Sequence, residues 1–287
     1  MRTLTRIIFT LAACLFMAVP VHADPAPHGP DPTASLLEAK QGPFAVANTK
    51  VASPSGYGAA TVTYPTAKSD GPYGLVVLAP GFLLAQGYYS WLAERVASHG
   101  FVVVNLSTNS IFDSPDVRAP QLASALKQVL ALSQTATSPY SGLVNPDRLA
   151  LMGHSAGGGA ALTAALSNPG LKAVVGLTLA VGTQKEFSQL QVPALVLAAE
   201  KDVIAPNATY SMPVFQSLSA ALPSAYIEIA GADHLTPTIL EGSRMRAVLG
   251  RYTIAWLKRF VDEDRRYTPF TQGSRPELSK YLSHGAW

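Results

Sequence analysis

The apolar positions of this chain fall into two kinds of stretch that alternate along it. Short continuous runs at Gly74 to Leu78, Phe101 to Leu106, Leu149 to Met152, Ala173 to Leu179, Pro193 to Ala199 and Ala225 to Ile229 predict buried strands. Between them the spacing is helical. Tyr88 to His99 puts Tyr88, Leu92 and Val96 on one face and stops at Gly100; Ala119 to Leu132 and Val214 to Ala221 are further helices. The last helix, Arg244 to Val261, carries Leu249, Tyr252, Trp256 and Phe260 on one packing stripe. Ahead of all these, Phe44 to Val51 and Ala59 to Tyr64 alternate as antiparallel strands about the turn Ser53-Pro54-Ser55-Gly56. Strands alternating with helices predict the α/β class, a mostly parallel central sheet with helices on both faces. No repeat, low-complexity linker or composition break divides the chain, so residues 24–287 read as a single domain. Asp24 to Pro32 is a loose entry segment, and Asp262 to Arg266 reads as a solvated, mixed-charge end to the last helix.

The first 23 residues have a different character. Arg2 and Arg6 precede an apolar run from Ile7 to Val19, and Val21-His22-Ala23 is a small-residue cleavage pattern. Residues 1–23 are therefore expected to be a signal peptide, with the mature chain starting at Asp24 and exported to the periplasm or the medium. The run is short for a spanning helix and no later stretch is long enough, so no stable membrane insertion is expected. Leu11-Ala12-Ala13-Cys14 resembles a lipoprotein cleavage site, but Leu15 to Val19 stay apolar where a lipoprotein turns polar. Cys14 is the single cysteine, so an exported chain without it has no disulfide and depends on its core. Composition permits that, with 48% hydrophobic and 14% charged residues. The 21 Lys and Arg fall to 19 once Arg2 and Arg6 leave, against 18 acids, so a formal charge of +3 becomes +1. Nothing in that balance attracts nucleic acid.

The stretch from Leu149 to Leu166 carries the candidate chemistry. An apolar run ends in Gly153-His154-Ser155-Ala156-Gly157, and an alanine- and leucine-rich helical segment follows at once. In such a strand-turn-helix, Gly153 and Gly157 let the two elements approach, and Ser155 is held above the strand end at a helix N-terminus. There the N–H of Ala156 is free to receive an oxyanion. No Gly-Lys-Ser or Gly-Lys-Thr closes the turn as a phosphate loop requires.

Serine needs a base, and six histidines are available. In sheets of this type reacting groups stand on loops at the carboxyl ends of strands, in the chain order serine, acid, histidine. His22 and His28 precede the serine, His99 ends a helix, His154 points away within the turn, and His284 is close to the end of the chain. His234, in the loop after the Ala225 strand, is the candidate base. The acid is expected after the Ala194 strand, where Asp202 is chosen with Glu200 as its rival; Asp233 adjoins the histidine too closely to reach its far ring nitrogen. The second oxyanion donor is expected from Ala79-Pro80-Gly81-Phe82, where the Phe82 N–H serves and its ring lines the site.

With these residues in place the chain resembles the bacterial cutinase and polyester-hydrolase family of the α/β-hydrolase fold, which includes enzymes acting on poly(ethylene terephthalate). The likeness covers nearly all of the expected mature chain. Its strongest blocks are Gly42-Pro43-Phe44, Ala79 to Phe82, Glu94 to Phe101, Met152 to Ser155, and Trp256 to Asp264. The resemblance implies Ser155, Asp202 and His234 as a catalytic triad and Phe82 with Ala156 as the oxyanion pair. It also marks departures. Ala156 stands where the family usually has methionine, Ala180 where it has the tryptophan that packs on an aromatic substrate ring, and Leu235 where phenylalanine is common. Phe82, Ala180 and Leu235 are therefore the expected substrate-binding positions. The family's C-terminal disulfide cannot form, and Ala230 replaces one aspartate of the calcium site found in some members. No metal or cofactor is implied.

The expectation is thus a secreted serine esterase of cutinase type, acting as a monomer on a polyester or another carboxylic ester. A short-chain carboxylesterase or lipase that meets no polymer is the alternative. A non-catalytic binder of an apolar ligand is a further one, against which the complete triad speaks.

Overall fold

The computed structural model describes residues 28–287, so the expected signal peptide at 1–23 lies outside the described residues. Among the described residues one sheet is built from β1 (Val46–Lys50), β2 (Ala59–Pro65), β3 (Tyr73–Ala79), β4 (Phe101–Ser107), β5 (Val144–His154), β6 (Ala173–Leu177), β7 (Ala194–Ala199), β8 (Ser224–Ile229) and β9 (Leu278–His284). Their spatial order is β1-β2-β4-β3-β5-β6-β7-β8-β9. From β4 to β8 all neighbours are parallel, while β1 and β2 at one edge and β9 at the other are antiparallel. The continuous apolar runs follow from this position: Leu75 and Val77 bury into one face and Val76 and Leu78 into the other.

Helices α3 (Pro115–Ser133), α4 (Ala156–Leu166) and α5 (Ser211–Ser217) cover the first face, and α1 (Ala34–Glu38), α2 (Ser90–Ser98) and α6 (Ser243–Phe260) the second. On α6 the expected stripe of Leu249, Tyr252, Trp256 and Phe260 is buried, each such side chain contributing about 1.5–3 kcal/mol of transfer free energy. The chain leaves β3 towards β4 on one side and returns to β5 on the other, which creates a topological switch point between β3 and β5.

Several local expectations differ from what is found. Helix α3 starts before Ala119, because the Ser114 hydroxyl accepts the Val117 N–H and Pro115 is preset for a first turn; Pro120 inside it removes a single backbone donor. Strand β6 stops at Leu177, since Thr178 turns the chain at φ 39°. Helix α5 shares Val214 to Ser217 with the expected helix but starts at Ser211 and ends before Leu218, which is already extended. Neither α1 nor β9 was indicated by pattern. Asp262 and Asp264 are buried rather than solvated: Asp262 pairs with the fully buried Lys258, and Asp264 accepts from the Arg266 backbone and guanidinium. A buried charge without its partner is costly, so this cluster is structural.

Candidate active site

Strand β5 and helix α4 are separated by Ser155 alone. Ser155 has φ 53° and ψ −122°, a left-handed conformation that a serine adopts only where its surroundings compel it. The compulsion comes from backbone bonds. Its N–H donates to the Leu177 carbonyl at 2.9 Å, and its own carbonyl accepts from Gly158, Gly159 and Ala180 at 2.9, 3.1 and 3.0 Å. A Cβ on Gly153 would overlap the Gly157 carbonyl, and one on Gly157 would overlap the carbonyls of Ala79 and Pro80. The crossing of strand and helix therefore needs both glycines.

Register brings the remaining groups to the same place. Ala79 at the end of β3 pairs with Gly153 of β5, so the loop of Phe82 and the turn of Ser155 leave the sheet side by side. Ala199 of β7 likewise pairs with Ile229 of β8, and the loops that follow carry Asp202 and His234. The Ser155 hydroxyl lies 3.0 Å from His234 Nε2, and His234 Nδ1 lies 2.8 Å from Asp202 Oδ2. Asp202 Oδ1 accepts the N–H groups of Ile204 and Ala205 at 3.0 and 2.7 Å, which fixes the carboxylate. All three side chains belong to residues more than nine-tenths buried. Such a line lets a hydroxyl pass its proton to an imidazole whose other nitrogen is held by a carboxylate.

The rival acids are occupied elsewhere. Glu200 accepts the Gly231 N–H at 2.8 Å, and Asp233 closes its own turn by accepting Leu235 N–H at 2.9 Å. Around Phe82 the loop is braced at each neighbour: Arg118, fully buried, donates to Pro80 O at 2.9 Å, Gly81 N–H donates to Tyr89 Oη at 2.9 Å, and Leu83 N–H donates to Ile111 O at 2.8 Å. The N–H groups of Phe82 and Ala156 themselves donate to no acceptor among the described residues. Two free donors at neighbouring strand ends can take up a developing oxyanion.

Of the expected substrate-binding positions, Phe82 is half exposed, Ala180 is half-buried and bonded to the Ser155 carbonyl, and Leu235 is half-buried beside His234. Sequence reasoning missed other residues here. His154, set aside as pointing away, lies directly behind His234 with ring centroids 4.8 Å apart. Burial and the neighbouring His234 push it down to about 3, so it is neutral. Phe112, after β4, is 66% exposed and meets the Phe82 ring edge-on at 6.1 Å. Of the ten exposed large apolar side chains among the described residues, eight stand on the loops after β3, β4, β7 and β8: Phe82, Leu83, Ile111, Phe112, Val203, Ile204, Ile239 and Leu240. These loops share the carboxyl edge of the sheet with Ser155. A glycine-flanked turn or a strand run is visible in sequence; isolated apolar pairs such as Ile111-Phe112 and Val203-Ile204 are too short to show a period.

A serine on a strained strand-to-helix turn, at the switch point of a mostly parallel sheet, defines an α/β-hydrolase. The family model described as PET hydrolase-like matches residues 21–284, and the chain belongs to that family. A cutinase of Thermobifida fusca (strain YX) is 42% identical over 263 residues, 91% of this chain and 84% of the relative. Cutinase 1 of Thermobifida cellulosilytica is 42% identical over 250 residues, 86% of this chain and 91% of the relative. A bis(hydroxyethyl) terephthalate hydrolase of Streptomyces coelicolor is 41% identical over 249 residues, 86% and 77% of the two chains. The chain is, with its family, a carboxylic-ester hydrolase. Among the described residues no helix is long and apolar enough to cross a membrane.

Proposed function

We propose that the protein is a secreted, monomeric serine hydrolase of cutinase type that cleaves polyester through an acyl-enzyme. Ser155 Oγ attacks the ester carbonyl while His234 Nε2 takes its proton, and Asp202 holds the imidazole and stabilises its charged form. The N–H groups of Phe82 and Ala156 receive the carbonyl oxygen as it becomes an oxyanion. His234 then gives the proton to the departing alkoxide. Water, deprotonated by the same imidazole, releases the acid and restores Ser155.

The observation that carries the chemistry is the unbroken line from Ser155 through His234 to Asp202, with 3.0 and 2.8 Å links between groups on separate strand ends. Relatives named cutinase and bis(hydroxyethyl) terephthalate hydrolase support an ester as substrate. For a polymer over a dissolved ester the support is the apolar rim on the loops beside Ser155, which a small soluble substrate leaves in water. Secretion rests on the basic and apolar pattern of residues 1–23. Ala180, in place of a ring that would stack on an aromatic acyl group, favours aliphatic polyesters, since such a contact adds about 0.5–1.5 kcal/mol beyond its buried area.

The test is release of acid from an aliphatic polyester film and from an amorphous aromatic one, by the wild type and by Ser155→Ala, with a fluorophosphonate to label the serine. Labelled wild type that degrades the aliphatic film faster, and an inert variant, are expected. A wild type that cleaves a soluble short-chain ester but leaves both films intact is a plain carboxylesterase.

A further inference from the structure

Behind the reacting groups runs a chain of buried hydrogen bonds whose direction can be worked out atom by atom. His154 Nε2 lies 2.8 Å from the His234 carbonyl oxygen. A carbonyl only accepts, so Nε2 carries the proton. The neutral ring then has its lone pair at Nδ1, which accepts from Tyr89 Oη at 2.7 Å. With its own proton committed, the Tyr89 oxygen accepts the Gly81 N–H at 2.9 Å. The order is Gly81 to Tyr89, Tyr89 to His154, His154 to His234. Each atom has one assignment, and Tyr89 and His154 are both fully buried.

We propose that Tyr89 and His154 are positioning residues that couple the oxyanion loop to the general base. The inference rests on the serine-hydrolase reading above and names what holds its parts in register. Gly81 adjoins Phe82, His154 precedes Ser155, and the far end of the chain is the backbone of His234 itself. The loop packs closely on the ring, because a Cβ on Gly81 would lie 2.8 Å from His154 Nδ1. Burial keeps His154 neutral, the form in which Nδ1 can accept. The role is more than satisfying a buried carbonyl, since Thr178 Oγ1 already donates to the His234 oxygen at 3.2 Å. What His154 adds is the link from that oxygen to the loop of Phe82.

The experiment is kcat and KM on a soluble p-nitrophenyl ester, with Tm, for Tyr89→Phe, His154→Gln, His154→Leu and the double variant Tyr89→Phe/His154→Gln. Tyr89→Phe keeps the ring and is expected to lower kcat about tenfold to a hundredfold with KM nearly unchanged, as loss of alignment does. His154→Gln places an amide donor near the Nε2 position and should retain more kcat than His154→Leu. The double variant should lose less than the product of the two single losses, because either change cuts the same chain. Wild-type kcat in Tyr89→Phe, or losses that multiply or merely track Tm, would overturn the coupling. Failure of the underlying reading looks different: the wild type itself would then neither turn over the ester nor be labelled at Ser155.

Discussion

Beneath Ser155, the polar groups of Asp202 and His234 are enclosed and each is held by a partner at 2.7–3.0 Å. Around it, on the same edge of the sheet, Phe112 is 66% and Val203 86% exposed. The contrast separates two tasks. In the first region position is set by sheet register and backbone bonds, so a displaced atom has nowhere else to go and the chemistry is preorganised. In the second, much of each side chain stays in water after folding, and that apolar surface becomes useful only when something covers it. Reaction type and substrate form are therefore written in different parts of the molecule and should respond to different substitutions.

The largest separation is expected from Asp202→Asn. The amide keeps the shape but presents no carboxylate to the imidazolium and favours the wrong tautomer, which in comparable triads lowers kcat about 10⁴-fold. Adsorption to a polyester film, read on a quartz crystal microbalance, should stay at the wild-type level. Adsorption falling together with kcat would mean that the loop bearing Val203 and Ile204 has collapsed and that the two regions are not independent.

Acid should weaken the enclosed parts of the fold, His154 behind His234 among them, and spare the rim. Two enclosed histidines, His154 and His99, are both pushed down to about 3, His154 by burial and His234, His99 by burial and the charges of Arg95 and Lys258. Unfolded, each titrates near 6.5. Between those values the unfolded chain binds protons that the folded one refuses, so stability is full above pH 6.5 and is lost as pH falls towards 3. Each ring accounts for about 2 kcal/mol at pH 5. Tm measured from pH 7.5 to 5 should therefore decline, and His99→Gln should flatten part of the slope; an unchanged slope in that variant would show that His99 is protonated when folded. The rim holds no such group, and film adsorption should hardly change over this range.

The three candidate positions were legible in sequence because each stands within a few residues of the end of an apolar run and the expected fold dictates their order. His234 and Asp202 were reached by position, and the structure places His234 against Ser155 and Asp202 against the other ring nitrogen of His234. Glu200 could be rejected only with coordinates, since the same loop offers two carboxylates and the choice depends on which one the turn at Ile204 and Ala205 orients. Strand β9 escaped because Leu278–His284 is an edge strand exposed along most of its length, so it carries little apolar signal. Asp262, which pairs with the buried Lys258, looked like surface charge, since composition does not record what packs over it. His154 looked idle for a related reason: its partners, Tyr89 and the His234 carbonyl, are 65 and 80 residues away in the chain.

The smallest effect, and the one that probes the rim itself, is expected from Phe112→Ser combined with Ile204→Ser. Both side chains are exposed, so neither substitution removes core packing, and Tm should hold. If the rim docks on a condensed substrate, the film covers these groups at about 25 cal/mol per Å² of apolar surface. Covering only part of two such side chains then corresponds to roughly a tenfold loss in film hydrolysis at limiting enzyme. A soluble short-chain ester reaches Ser155 without covering the rim, so its kcat/KM should stay near wild type. The ratio of the two rates is thus the informative quantity. Equal loss on film and soluble ester would assign Phe112, against the ring of Phe82 at 6.1 Å, to the acyl pocket, and would move the boundary between the two regions inward. Loss on the film alone would leave that boundary at the loops, with Ser155 and its partners indifferent to whether the ester is dissolved or part of a solid.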